Sequence, residues 1–275
     1  MSCDKQIIAR EINKMEEKVI LRKEEGVAWV IMNRPEVLNA WDPEMIHNLA
    51  ETMSDIRQDD EVRAVVITGA GKAFSAGGDV KVQKQFLDQP LAARLARGTE
   101  GQWITRHIVG MEKPVIAAIN GVAVGSACDM ALACDIRIAS ENASFGEVFI
   151  RRGIVPDIGA MFFLPRLAGM AKAKELIFTG DIINATEAER IGLVNKVVPA
   201  DKLESETMEL SRRLARGPTK AIGLAKKVIN KSLSTDLDTS LDYALHALAI
   251  CYNTEDHAES AKAFSEKREP QFKGR

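Results

Sequence analysis

The chain has 275 residues, of which 46 % are apolar and 28 % charged, with a formal net charge of -2 at pH 7. That length suits one large core with an appendage better than two equal domains, and a balanced charge without a basic stripe argues against nucleic acid as a partner. No stretch approaches the roughly 20 apolar residues that a membrane span needs.

Residues 1–18 mix acids with bases and hold no apolar block, so they read as neither a secretory signal nor a transit peptide. The next segment, VILRKEEGVAWVIMNRP, predicts two strands about a Glu-Gly turn, closed by Pro35. Met45, Leu49, Met53 and Ile56 then recur at helical spacing. RAVVITGAG reads as a buried strand running into glycines. AARLARGTEGQWITRHIVGM predicts a helix over an acyl pocket, with Trp103 and Ile104 shaping the pocket or simply packing in the core. PVIAAINGVAVG is a second buried strand followed by the helical ACDMALACD, and DIRIAS is strand-like again. Strands alternating with helices predict an α/β core with parallel strands. After residue 200 the pattern turns helical throughout, which divides the chain into 1–200 and a C-terminal helical region, 201–275. There Leu241, Leu245, Leu248 and Tyr252 form an apolar stripe, to be covered by the chain's own core or by another subunit.

Four cysteines, Cys3, Cys128, Cys134 and Cys251, make no CxxC pair and have no histidine at ligand spacing. Cys128 and Cys134, in an apolar run, read as buried free thiols, and a reducing, cytoplasmic compartment with no metal is the expectation. The four histidines fall in no triad or metal spacing. Arg151 and Arg152 read as surface ion-pair partners or as contacts for an acidic group.

Two glycine-rich segments are chemically suggestive. FSAGGDV offers Gly78, and VGSACD offers Ser126 or a neighbour at the start of a helix, as main-chain donors that a ligand can approach closely. Two such donors aimed at one oxygen would stabilise an enolate. Each segment alone also reads as an ordinary turn. Asp129 lies in the same run, three residues after Ser126. It is either the acidic member of a capping-box variant on its own helix or a group facing a substrate. Asp157, after Pro156, is either a turn or N-cap residue or an acid/base. Glu147 shares strand phase with Phe149 and reads as a solvated rim residue.

NRPEVLNA, GAGKAFSAGGDV, KPVIAAINGVAVGSACDMALACDIRIAS and GIVPDIGAMFFLPRLAG occur in this order, with FTGDIINATEAERIGLVNKVVP and AFSEKREPQF after them. Together they resemble the crotonase superfamily, the enoyl-CoA hydratases and isomerases, from about Val19 to Phe272. The resemblance implies a spiral of repeated ββα units with C-terminal helices used for trimerisation, and a homotrimer or dimer of trimers. It implies an acyl-CoA thioester substrate, as in fatty acid metabolism, and no cofactor beyond the coenzyme A of that substrate. It places the oxyanion donors at the amides of Gly78 and Ser126, where many relatives carry three glycines in place of Gly125, Ser126 and Ala127. The CoA moiety would lie against the backbone near Leu38, Ala40, Phe74 and Ala76, and Lys267 of a neighbouring subunit would contact phosphate. Of the two glutamates that hydratases use, Asp129 stands at the first position and Phe149 at the second. Asp157 stands where isomerases carry their single acid/base. Isomerisation by Asp157, with Asp129 second, is therefore the favoured expectation. Hydration of an enoyl-CoA or cyclic dienoyl-CoA, thioester hydrolysis, decarboxylation and non-catalytic binding are the alternatives.

Overall fold

The computed structural model describes residues 17–275; Cys3 and the N-terminal segment up to residue 16 lie outside the described residues. β1 (Val19–Glu24) and β2 (Val27–Met32) form an antiparallel hairpin. Its turn residues Glu25 and Gly26 have φ of 49° and 77°, the positive values that a two-residue hairpin turn requires. After a 3-10 turn at Pro35–Val37 comes helix α1 (Pro43–Gln58). The Asp42 carboxylate caps it by accepting the Met45 N–H at 2.9 Å, and Met45, Leu49, Met53 and Ile56 are its buried face, as their spacing predicts.

The chain then runs through β3 (Ala64–Gly69), α2 (Val80–Lys84), α3 (Leu91–Gly110), β4 (Val115–Ile119), β5 (Val122–Val124), α4 (Ser126–Ala133), β6 (Ile136–Ser140) and β7 (Ser144–Gly146). A 3-10 turn at Val148–Arg152 leads to α5 (Ala160–Thr179), β8 (Ile182–Asn184), α6 (Ala185–Arg190) and β9 (Lys196–Val198). Four helices follow: α7 (Leu203–Arg216), α8 (Thr219–Ser232), α9 (Leu237–Tyr252) and α10 (Glu255–Glu266).

Two sheets organise these elements. The larger has the order β1-β2-β3-β4-β6-β9 and is parallel from β2 onward. The smaller is β5-β7-β8, extended by single parallel pairings of Ser75 with Ala123 and of Trp41 with Gly78. Each of β2, β3, β4 and β6 is thus followed by a short segment in or beside the second sheet and then by a helix, a repeated ββα turn. The central strands β2, β3 and β4 are buried on both faces, as strands of parallel sheets generally are. Val65, Ile67, Val115 and Ala117 face the core formed with α1, α3, α4 and α5. Their neighbours Val66, Ile116 and Ala118 face a second cluster that α7 covers with Leu203 and Ala215.

α9 has no buried residue; Leu245 is 65 % exposed and Tyr252 60 %. Its stripe is therefore not packed on the core of the described residues. No helix among the described residues is long and apolar enough to cross a membrane.

One buried side chain fixes the loops on which the second sheet depends. Asn39 is fully buried with φ of 55°, a left-handed conformation that asparagine tolerates well. Its Nδ2 donates to the carbonyls of Ala70 at 2.9 Å and Ala73 at 2.8 Å, and its Oδ1 accepts the Arg34 N–H at 2.9 Å. Arg34 in turn donates to the Ala40 carbonyl at 2.6 Å and pairs with Asp79 at 3.2 Å. Asn39→Ala leaves several buried groups unpaired, and we expect it to lower stability by on the order of 3 kcal/mol, read as a fall in the urea midpoint.

Candidate active site

The two glycine-rich segments meet where short strands of the second sheet turn into helices. Ser75 and β5 pair directly, with the Ser75 N–H donating to the Val122 carbonyl at 2.9 Å and the Val124 N–H to the Ser75 carbonyl at 3.2 Å. On the other side Trp41 donates to the Gly77 carbonyl at 2.7 Å and accepts from the Asp79 N–H at 2.8 Å. The Gly78 amide, between those two contacts, therefore points away from Trp41, toward the side where β5 runs on into Ser126. Gly77 makes the approach possible. It has φ of 75°, and a Cβ there would stand 2.5 Å from the Val124 carbonyl oxygen and 3.3 Å from the Ser126 nitrogen. Gly77 and Gly125 are buried, whereas Gly78 and Ser126, the two candidate donor residues, are half-buried.

Ser126 does not cap its own helix. The N-cap of α4 is Gly125, with φ of 56° and no side-chain capping bond, and Ser126 is the first helical residue. The capping-box reading of Asp129 thus fails. Its carboxylate crosses instead to the next helix, where Oδ2 accepts the Ile158 N–H at 2.9 Å, just before α5 begins. Asp129 is fully buried. Burial raises its carboxyl from the ordinary value to about 6, against the lowering effect of the Glu147 side chain and the Ile158 and Ala160 amides.

Asp157 sits in the loop that Asp129 holds. Two side chains of α3 grip the same loop: Gln102 Nε2 donates to the Asp157 carbonyl at 3.0 Å and Thr105 Oγ1 to the Ile158 carbonyl at 2.6 Å. Two glycines on that face let the loop approach. A Cβ at Gly98 would stand 3.1 Å from Asp157 Oδ2, and one at Gly101 3.1 Å from Ile158 Cδ1. Residues 98, 101, 102 and 105 share a face at three- and four-residue spacing, a signal present in the sequence but not used in reading it. Asp157 itself is exposed, and partial burial of its carboxyl lifts it above the ordinary aspartate value.

Glu147 is the residue that sequence reasoning misplaced. It is 2 % exposed, not a rim residue. It lies between the end of β7 at Gly146 and the 3-10 turn from Val148, and like Phe149, with which it shares phase, it is buried. Its carboxyl lies within hydrogen-bonding reach of Asp129 and Cys128. Burial first, and the Asp129 charge second, push it well above the usual glutamate range.

Phe149, which the resemblance sets at the second hydratase carboxylate, is buried with its ring against Gly125, 3.8 Å from where a Cβ would stand. Leu38 and Ala76 are joined directly, the Ala76 N–H donating to the Leu38 carbonyl at 2.9 Å. Ala40 and Phe74 are buried, with the Phe74 side chain in the main core, so Phe74 offers a ligand its main chain at most. Lys267 is exposed in a left-handed conformation at the end of α10 and belongs to the C-terminal helical layer. Trp103 is half exposed and Ile104 fully buried. Arg151 and Arg152 are exposed. Cys128 and Cys134 are buried free thiols. No group of three His, Cys, Asp or Glu side chains among the described residues is placed to hold a metal ion.

The sequence profile of the enoyl-CoA hydratase/isomerase family matches residues 22–275. The chain belongs to that family. As a member of the enoyl-CoA hydratase/isomerase family, it is an enzyme of crotonase type. It is 41 % identical over 259 residues to a crotonyl-CoA hydratase of Syntrophomonas wolfei, covering 93 % of this chain and 98 % of that protein. It is 36 % identical over 263 residues to a 1,2-epoxyphenylacetyl-CoA isomerase of Escherichia coli, covering 95 % and 100 %. Within the family, the crystal structure of an enoyl-CoA hydratase from Bacillus anthracis superposes with a TM-score of 0.90 at 34 % identity, over 94 % of this chain and 100 % of that one. The spiral core and C-terminal helices are therefore those of the crotonase fold.

The raised Asp129 carboxyl has a consequence for stability. Between the ordinary value of 3.8 and about 6, the folded chain keeps a proton that the unfolded chain has released, so this group's stabilising share is complete below that window and is lost as pH rises through it. We expect unfolding free energy to fall less steeply from pH 4 to 6 in Asp129→Asn than in the wild type, measured by urea titration at a series of pH values.

Proposed function

We propose that the protein isomerises an enoyl-CoA thioester by moving a proton, with Asp157 as the acid/base. The observation that carries this reading is the contrast among three neighbouring carboxyls. Asp129 and Glu147 are buried, whereas Asp157 reaches solvent on a loop clamped from α3 and α4 and has a raised proton affinity, which suits a base working nearer neutral pH. The amides of Gly78 and Ser126 would receive the thioester oxygen.

In the reaction, the Asp157 carboxylate takes a proton from C2 of a 3-enoyl thioester. The C–H electron pair forms the C2=C1 bond of a dienolate, and the thioester oxygen becomes negative and is held by the two amides. Protonated Asp157 then returns the proton at C4. The double bond moves to C2–C3 and the carboxylate is regenerated. CoA would lie along the main chain of Leu38, Ala40, Phe74 and Ala76, with Lys267 of a neighbouring subunit near a phosphate, in a cytoplasmic homotrimer or dimer of trimers.

A second reading is hydration of an enoyl-CoA or a cyclic dienoyl-CoA, supported by the 41 % identity to a crotonyl-CoA hydratase. Against simple water addition stands the Phe149 ring, which occupies the place of the second carboxylate beside Gly125. An acyl-CoA panel separates the readings. Gain of conjugated-thioester absorbance from a 3-enoyl-CoA marks isomerisation, its loss from a 2-enoyl-CoA marks hydration, and thiol release marks hydrolysis. Asp157→Asn should abolish isomerisation while CoA affinity is kept; full activity in that variant removes Asp157 from the mechanism. Gly77→Ala drives a methyl group into the Val124 carbonyl and displaces the Ser126 amide. We expect kcat to fall about 10²–10³-fold, as for loss of one oxyanion donor, measured with whichever thioester turns over.

A further inference from the structure

Behind the catalytic corner lies a pair of carboxyl groups for which the proposed proton transfer has no direct use. Asp129 Oδ1 and both carboxyl oxygens of Glu147 are buried without an amide or hydroxyl donor, although the two side chains are hydrogen-bond neighbours. Two ionised carboxylates have no hydrogen to share, and buried polar atoms are seldom left unpaired. A single proton on the pair resolves the conflict, as in other close carboxyl pairs.

We propose that Glu147 is a protonated positioning residue: it donates its carboxyl hydrogen to Asp129, whose other oxygen is then free, as a charged acceptor, to hold the Ile158 amide and with it Asp157. The inference rests on the reading of Asp157 as acid/base. The titratable groups acting on Glu147 are Asp129 and Cys128, both of α4, and those acting on Asp129 are Glu147 and, from the α5 side, Asp157. Cys128 is itself buried and its thiol pushed well up, so it stays neutral and does not compete for the charge. Asp129 is the member of the pair that ionises because amide donors reach it and not Glu147. Ionised Asp129 makes a charge-assisted bond to the Ile158 amide and so fixes the loop that carries Asp157. Protonated Asp129 holds that amide less well. The pair thereby couples a buried proton to the placement of the exposed base.

Two measurements test this. Difference infrared spectra at pH 8 should show the carbonyl stretch of a neutral carboxylic acid in the wild type, and this band should be lost in Glu147→Gln. Absence of the band in the wild type, or its survival in the variant, overturns the proposal. In the pH profile of kcat/KM, an inflection near the Asp129 value of about 6 should move up by about one unit in Glu147→Leu and stay in place in Glu147→Gln, whose amide still donates. An unmoved inflection in Glu147→Leu, or an equal shift in both variants, also overturns it. The infrared arm needs no substrate and uses the conservative variant, so it decides the question even if the leucine variant does not fold or no thioester turns over. Activity persisting in Asp157→Asn would instead sink the reaction assignment and leave the infrared result standing.

Discussion

The site depends on one close approach. At Gly77 the backbone passes so near the Val124 carbonyl that a Cβ would stand 2.5 Å away, a distance no side chain can occupy. Two loops far apart in sequence are brought together there, and Gly78 and Ser126, next to the contact, are both half-buried. The geometry is maintained from behind by Asn39 and Ser75. Asn39 binds the carbonyls of Ala70 and Ala73, and the Ser75 hydroxyl donates to the Asn39 carbonyl at 2.7 Å while accepting the Gly77 N–H at 3.1 Å. The absence of a side chain at one residue and buried amide chemistry at another thus act on the same few ångströms of backbone.

The loop of the proposed acid/base is built differently. Asp157 projects from a short loop whose backbone is held by Gln102, Thr105 and Asp129, from two helices. A flexible carboxylate on a fixed backbone can serve two carbons of one substrate, because its side-chain torsions sweep a small arc while its origin stays put. Rigidity in the support and freedom in the tip are both needed for a proton to leave one carbon and return to another.

Much of this was legible in the sequence. The α1 face was read residue by residue, since an amphipathic helix repeats its signal every turn. The glycine segments were found because backbone approach demands small residues. Ser126 as N-cap was not borne out, because the chain enters α4 through Gly125 at positive φ, and residue type alone does not distinguish a serine just before a helix from one just inside it. The partner of Asp129 was hidden for a different reason. The bond to Ile158 joins residues 29 apart, and nothing local marks which helix a carboxylate will cap. Glu147 shares the buried side with Phe149, as its phase allows, and the rim reading failed because a carboxyl is ordinarily solvated unless a partner is buried with it. The α3 grip is legible too, in the three- and four-residue spacing of Gly98, Gly101, Gln102 and Thr105, a small and polar face beside the larger Trp103 and Ile104.

One face of the large sheet gathers Val27, Trp29, Val66, Ile116 and Ile138, from strands spread over more than a hundred residues, and the helix that covers it is α7 at Leu203–Arg216. During synthesis the chain emerges from its amino end, so those strands leave the ribosome well before their cover does. Until α7 follows, a nascent chain that has already paired its strands presents an open apolar surface to water or to a chaperone. The last quarter of the polypeptide thus completes the fold in time as well as in space.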